Sequence, residues 1–168
     1  MRKIQIAVIG YNKDRSNKNS NRMAYDVGKA IAQKGAILLC GGLNGVMEFA
    51  CKGSKEHGGT TVGIIPQGDF SFANKYCDIV IATGLGLARD FVVATSADGV
   101  IVVGGGVGTL IELCVAYELK KTIVALSNSG GTATRYAGGY MDDRKTVLIM
   151  PAEDATTAVN LILENLKL

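Results

Sequence analysis

Apolar runs of strand length alternate along the chain with segments whose apolar residues recur at helical spacing. That is the pattern of βα units feeding a parallel sheet. Strands are predicted near Ile4–Ile9, Ala36–Leu39, Thr61–Ile65, Ile79–Ala82, Val100–Val103, Thr122–Leu126 and Thr146–Met150. Helices are predicted near Arg22–Lys34, Gly45–His57, Leu87–Ala97, Gly108–Leu119 and Asp154–Leu166. Val100–Val103 is apolar without interruption, as a strand covered on both faces must be. No linker, repeat or low-complexity stretch divides the chain. We therefore expect one domain over 1–168: an α/β, Rossmann-like three-layer fold, with a mostly parallel sheet of about seven strands and helices on both faces.

Composition narrows the class. The 168 residues are 48% hydrophobic and 20% charged, enough to build a core. Cys40, Cys51, Cys77 and Cys114 lie in or beside apolar segments, with no C-x-x-C pair and only His57 as an imidazole partner. Neither a disulfide framework nor a metal site is indicated, and the four read as reduced core residues of a cytoplasmic protein. Met1-Arg2-Lys3 ahead of Ile4–Ile9 has the look of an export signal, but the apolar run is too short. No stretch is long enough to span a membrane, so no membrane partner is expected. A net charge of +3 is too small for wholesale binding to nucleic acid, and no specific nucleic-acid partner is expected. The basic residues do cluster: Arg2, Lys3, Lys13, Arg15, Lys18 and Arg22 face only Asp14 in the N-terminal stretch. They form either a solvated loop or one that closes over an anionic small ligand.

The unusual residues fall where strands end: Gly10-Tyr11-Asn12, Cys40-Gly41-Gly42-Leu43-Asn44-Gly45, Pro66-Gln67-Gly68, Gly84-Leu85-Gly86 and Gly104 to Thr109. In a doubly wound sheet ligands gather at those carboxyl ends. The last turn, Gly104-Gly105-Gly106-Val107-Gly108-Thr109, leads from a buried strand into a helix. Its glycines admit a ligand close to the backbone, and the free amides at the helix start favour phosphate. Two familiar phosphate motifs do not fit. No lysine follows either glycine cluster, as a P-loop requires, and neither cluster is a dinucleotide G-x-G-x-x-G, which disfavours hydride transfer with NAD.

Gly41-Gly42-Leu43-Asn44-Gly45-Val46-Met47-Glu48, taken with Gly105-Gly106-Val107-Gly108-Thr109-Leu110-Ile111-Glu112, resembles the paired motifs of the Lonely Guy (LOG) family. Those proteins are nucleoside 5'-monophosphate phosphoribohydrolases long labelled possible lysine decarboxylases. The family patterns are GGGxxGLMG and PGGxGTxxE, and the arginine of its MxxRK segment falls on Arg89. The chain departs from the patterns in ways that bear on function. Gly104 stands for the proline of PGG, Cys40 for the first glycine of GGG, Gly86 for the methionine of MxxRK and Asp90 for its lysine. These changes resemble a short branch of the superfamily, similar to molybdenum-cofactor carrier proteins, and that likeness implies binding of a phosphorylated pterin without cleavage.

Each candidate also has a plainer role. Thr109-Leu110-Ile111-Glu112 is a T-x-x-E capping box, in which Glu112 would bond a backbone amide. The resemblance instead implies a carboxylate facing a sugar, stabilising an oxocarbenium-like centre or activating water. Arg89 falls at the start of a helix, where a cation opposes the dipole and needs an anionic partner: Asp90 at the surface, or substrate and Glu112. Gly41, Gly42 and Gly45 read as turn residues with Asn44 capping the next helix, a role compatible with ligand contact. Met47 packs in the core or lines the pocket, and His57 reads as a helix C-terminal partner. Ser127 to Tyr140, with Gly130-Gly131 and Gly138-Gly139, reads as a long flexible connection whose Arg135 or Tyr136 closes over ligand.

The expectation is thus a phosphorylated small-molecule ligand, with its phosphate on Gly105, Gly106, Val107, Gly108 and Thr109. The leading reading is hydrolysis of a nucleoside 5'-monophosphate to free base and ribose 5-phosphate, with Arg89 and Glu112 catalytic. The alternative is a non-catalytic carrier of molybdenum cofactor or a related pterin. No cofactor is required, molybdopterin or molybdenum cofactor enters only as a bound ligand, and no lysine lies in a setting that suggests decarboxylation through pyridoxal phosphate. Apolar helix faces at Ala88–Ala97 and Leu113–Leu119 exceed what one sheet covers, so a homodimer or higher homo-oligomer is expected.

Overall fold

A computed structural model describes residues 2–166. The expected 1–168 domain also takes in Met1, Lys167 and Leu168, which lie outside the described residues. Seven strands form one sheet: β1 (Gln5–Gly10), β2 (Ile37–Cys40), β3 (Thr60–Ile65), β4 (Ile79–Ala82), β5 (Gly99–Val103), β6 (Thr122–Leu126) and β7 (Ile149–Ala152). Their order is β4-β3-β2-β1-β5-β6-β7, and every pairing is parallel. The helices are α1 (Lys18–Gln33), α2 (Val46–Glu56), α3 (Arg89–Ser96), α4 (Val107–Glu118), α5 (Gly131–Tyr136) and α6 (Ala155–Asn165).

Alternation along the strands builds two cores. Ile6, Val8, Leu38, Cys40, Ile101, Val103, Val124 and Leu126 point to the face covered by α1, α2 and α6. Ala7, Ile9, Leu39, Val62, Ile64, Val100, Val102 and Ile123 point to the face covered by α3, α4 and α5. Both faces are buried, which is why these strands read as unbroken apolar runs. On the first face α1 and α2 touch backbone to backbone. A Cβ at Gly28 would collide with the carbonyl of Ala50, and one at Gly53 with that of Tyr25. Helical glycine costs roughly 0.5–1 kcal/mol against alanine, and the close approach offsets that cost.

The expected elements are present, with local corrections. Helix α1 starts at Lys18 and not near Arg22, because Asn17 and Ser20 form a reciprocal capping box, each side chain bonding the other's backbone amide at 3.0 Å. Asn44 does not cap α2: Gly45 holds the N-cap position without a side-chain bond. Strand β7 lies at Ile149–Ala152 and not Thr146–Met150, and Pro151, which has no amide to donate, is tolerated there on an edge. The 127–140 segment is not a long loop, since it contains α5. Helix α4 begins at Val107, which puts Thr109 inside the first turn and removes the basis for a T-x-x-E capping box.

The strand order reverses between β1 and β5, so the loops after these two strands part and leave a crevice at their carboxyl ends. Among the described residues, no helix is long and apolar enough to cross a membrane.

Candidate functional site

A cleft of about 630 Å³ occupies that crevice. Gly10, Tyr11, Asn12, Asp14 and Arg15 supply one wall, Leu43 and Met47 the floor on the β2 side, Pro66, Gly86, Leu87, Arg89 and Asp90 another wall, and Gly106 to Thr109 with Glu112 the last. Of the N-terminal basic cluster, Arg15 lines the cleft, as does Asp14 beside it in sequence.

The glycine turn after β5 is held from behind. Thr132 donates its hydroxyl to the carbonyls of Gly105 (3.2 Å) and Gly106 (3.1 Å). The amides of Thr132 and Ala133 donate to the carbonyls of Gly105 and Gly104 at 3.0 and 2.9 Å. Ser129 accepts the amide of Gly104 at 2.7 Å. Within a trans peptide, carbonyl and amide point in opposite directions. With the carbonyls of Gly104, Gly105 and Gly106 turned to α5, the amides of Gly105, Gly106 and Val107 turn away from it; Gly106 and Val107 line the cleft, whereas Gly105 borders only the hollow behind the turn. The N-cap of α4 is Gly106, no side chain caps the helix, and its first turn holds no acid. The first amides of a twelve-residue helix therefore stand without an internal partner at the cleft wall, an arrangement suited to an anion.

Gly104 (φ +63°) shows why this turn departs from proline: a Cβ there would strike the Tyr11 ring, which packs against the turn from the cleft side. Gly41 plays a related part, because a Cβ would collide with Arg89 Nη1 and approach Met47 Sδ at 2.7 Å. The guanidinium thus lies directly against the Gly41 backbone. Gly42 packs on Ile65 and Gly63, and Gly45 on the backbone of Tyr11 and Asn12. These three glycines lie beneath the cleft and do not line it, whereas Gly106, Val107, Gly108 and Thr109 do.

Arg89, Asp90 and Glu112 are buried together at the cleft wall, 7%, 6% and 6% exposed. Arg89 Nη1 lies 3.2 Å from Asp90 Oδ1 and 3.9 Å from Glu112 Oε1, and Arg89 Nε is buried without a partner. Burial pushes the Glu112 carboxyl up to about 8; the charge of Asp90 adds to the rise and Arg89 opposes it. Burial also raises Asp90, against the pull of Arg89. The cluster can hold a proton near neutrality, and it contains a buried donor, Arg89 Nε, without a partner.

The sequence-derived Arg89 and Glu112 meet in space. Asp90, one of the two partners considered for Arg89, does pair with it, but within the cleft wall and not at the surface. Its Oδ2 stands 3.7 Å from where a Cβ on Gly108 would be, which puts a carboxylate beside the α4 amides. The signal for it was an acid where the LOG pattern has a lysine. Arg135 and Tyr136 border a separate hollow of about 240 Å³ behind the turn and do not reach the main cleft. His57 closes α2 as expected, its Nδ1 2.9 Å from the Gly53 carbonyl. Cys40 and Cys51 are buried, but Cys114, expected in the core, is exposed.

Comparison with known proteins bears on this geometry. A model of the SLOG cluster4 family matches residues 3–159. An uncharacterised protein of Archaeoglobus fulgidus is 42% identical over 75% of this chain and 82% of its own length. The cytokinin riboside 5'-monophosphate phosphoribohydrolase of Mycobacterium tuberculosis is 36% identical over 56% of this chain, and the match spans about half (52%) of that enzyme. The molybdenum cofactor carrier protein of Chlamydomonas reinhardtii superposes with a TM-score of 0.83 at 38% identity, over 97% of this chain and all (100%) of the other.

Proposed function

The chain belongs to the SLOG cluster4 family, and from that premise we propose that it binds a phosphorylated heterocyclic ligand with the phosphate on the amides of Gly105 to Thr109. The observation that carries this reading is the uncapped start of α4, open to a cleft of ligand size and braced from behind. Arg89, which lines the same cleft, supplies a positive charge.

Within that class we propose a pterin of the molybdenum-cofactor type, held and not cleaved. Likeness along the full chain to a carrier protein supports this. So does Glu112: with its carboxyl raised to about 8, it is mostly protonated at neutral pH and lacks the charge that would stabilise an oxocarbenium-like centre. Asp90, where the LOG pattern has a lysine, takes one positive charge out of the site. The resting thiols fit a reducing cytoplasmic setting, and a second copy of the chain covers the apolar face of α3 and α4.

A second reading, the phosphoribohydrolase, is favoured by one observation: Arg89 and Glu112 are paired in the same cleft as the phosphate amides. One experiment separates the two. The purified protein is incubated with nucleoside 5'-monophosphates and with a molybdopterin-containing extract, followed by chromatography of released base and of retained pterin after oxidation to its fluorescent form. Retained pterin at near one per chain, with no free base, is the expected result. Base release that disappears in Glu112→Gln would establish the hydrolase in its place.

A further inference from the structure

Three of the four cysteines are far apart in sequence, yet the fold places them in a row. Cys40 ends β2, Cys51 faces the sheet from α2, and Cys77 precedes β4. Cys40 Sγ and Cys51 Sγ are 3.4 Å apart, and Cys51 Sγ and Cys77 Sγ 3.9 Å. All are free thiols. Cys77 sits over Gly63, where a Cβ would come within 2.6 Å of its sulfur, so a glycine inside a strand makes room for this thiol. Access is graded along the row: Cys40 and Cys51 are sealed, while Cys77 is only half-buried.

We propose that this row is a hydroperoxide-reactive modification site, in which Cys77 is oxidised first and Cys51 resolves it to a Cys51–Cys77 disulfide. The Cys77 thiolate attacks the terminal oxygen of the hydroperoxide. The O–O bond breaks, the alcohol leaves with one proton, and Cys77 becomes a sulfenic acid. Cys51 then attacks the Cys77 sulfur, the S–O bond breaks, and water leaves with the Cys51 proton. Two thiols and one hydroperoxide thus give one disulfide, one alcohol and one water; the sulfurs lose two electrons and the peroxide gains them.

The environment favours these roles. Hydrogen bonding to the thiols of Cys40 and Cys51, followed by Asn74, pulls the Cys77 thiol below its usual range against the effect of burial. Hydrogen bonds to Cys40 and Cys77, together with burial, hold Cys51 well above it. The least buried of the three residues is thus the one whose thiolate is favoured, and its neighbour is the one held as a thiol. A disulfide requires about 2.0 Å between sulfurs, so the segment carrying Cys77 must close on α2. That segment is tied to the turn after β2, because Asn74 Nδ2 donates to the carbonyls of Gly42 (3.2 Å) and Leu43 (2.9 Å).

The test uses the full chain, reduced and then exposed to one equivalent of hydrogen peroxide. Remaining thiols are blocked, and the protein is digested without reduction by trypsin and a glutamyl protease, which cuts at Glu48 between Cys40 and Cys51. Mass spectrometry should show a Cys51–Cys77 peptide pair lighter by two hydrogens, with two thiols lost. Cys114→Ser should leave the bond intact, and Cys77→Ser should leave Cys40 and Cys51 as thiols. The wild-type chain gives a second readout: iodoacetamide in mild acid should label Cys77 about tenfold faster than Cys114, as a thiolate outruns a thiol. Oxidation confined to Cys114, a bond between Cys40 and Cys51 or Cys40 and Cys77, or faster labelling of Cys114 overturns the proposal. None of these readouts depends on which ligand the cleft takes.

Discussion

Glu112 keeps its proton near neutrality because burial disfavours its charge. In the unfolded chain the same carboxyl titrates at its ordinary 4.5, and in the folded chain at about 8. Between those values the folded state holds a proton that the unfolded state lacks. Its stabilising contribution is complete below the lower value and lost as pH rises through the upper one. Urea unfolding midpoints should therefore fall across that window, and Glu112→Gln, which cannot ionise, should flatten the fall by a few kcal/mol. An unchanged slope would mean that Glu112 is solvated. Asp90 calls for a different measurement, because its carboxylate stands beside the α4 amides where a phosphate is proposed to sit. Asp90→Asn removes a like charge, and calorimetric titration with a nucleoside monophosphate at neutral pH should show binding tightened several-fold. Weaker binding would instead make Asp90 an acceptor for the ligand. Arg89 and Glu112 were legible in the sequence because a motif spacing carried them. The burial of Asp90 was not, since a carboxylate beside an arginine reads as a surface pair until the packing of α3 on α4 is known.

Helix α5 is short, yet it fixes the glycine turn on which the phosphate is proposed to sit. Thr132 holds two carbonyls of the glycine turn with one hydroxyl. Thr132→Val keeps the shape and leaves both carbonyls with one donor fewer, which should cost about 1–3 kcal/mol of stability. It should also weaken phosphate binding several-fold as the amides lose their alignment. Thermal unfolding and titration together check this, and a loss of stability with unchanged affinity would show the turn to be rigid without the brace. The strands were easy to read because β5 and its neighbours are buried on both faces and leave no polar interruption. Helix α5 escaped because it begins on Gly131, is followed closely by Gly138-Gly139 and has only six residues, too few to display a period. The early start of α1 escaped for a related reason: Lys18 to Asn21 are polar, and the signal lay in the Asn17–Ser20 cap and not in hydrophobic spacing.

At the scale of the molecule, α3, α4 and the residue that caps α4 present Phe91, Val107 and Leu119 to the outside at 56%, 76% and 47% exposure. They border an apolar groove of about 610 Å³. An apolar face of this kind favours association, and sedimentation at micromolar concentration should find a dimer that Phe91→Asp converts to monomer. A monomeric wild-type chain would refute the pairing. The sequence showed this apolar excess but not its partner, because both faces of a helix look alike until the sheet has claimed one. The brace behind the glycine turn has a kinetic consequence as well. A cradle already aligned before its guest arrives has little conformational entropy left to lose, so capture should proceed without a slow ordering step. Residence time would then be set by how many contacts must break at the open mouth of the crevice. A receiving protein that offered the guest equivalent contacts there could take it over directly, with no gate to wait for.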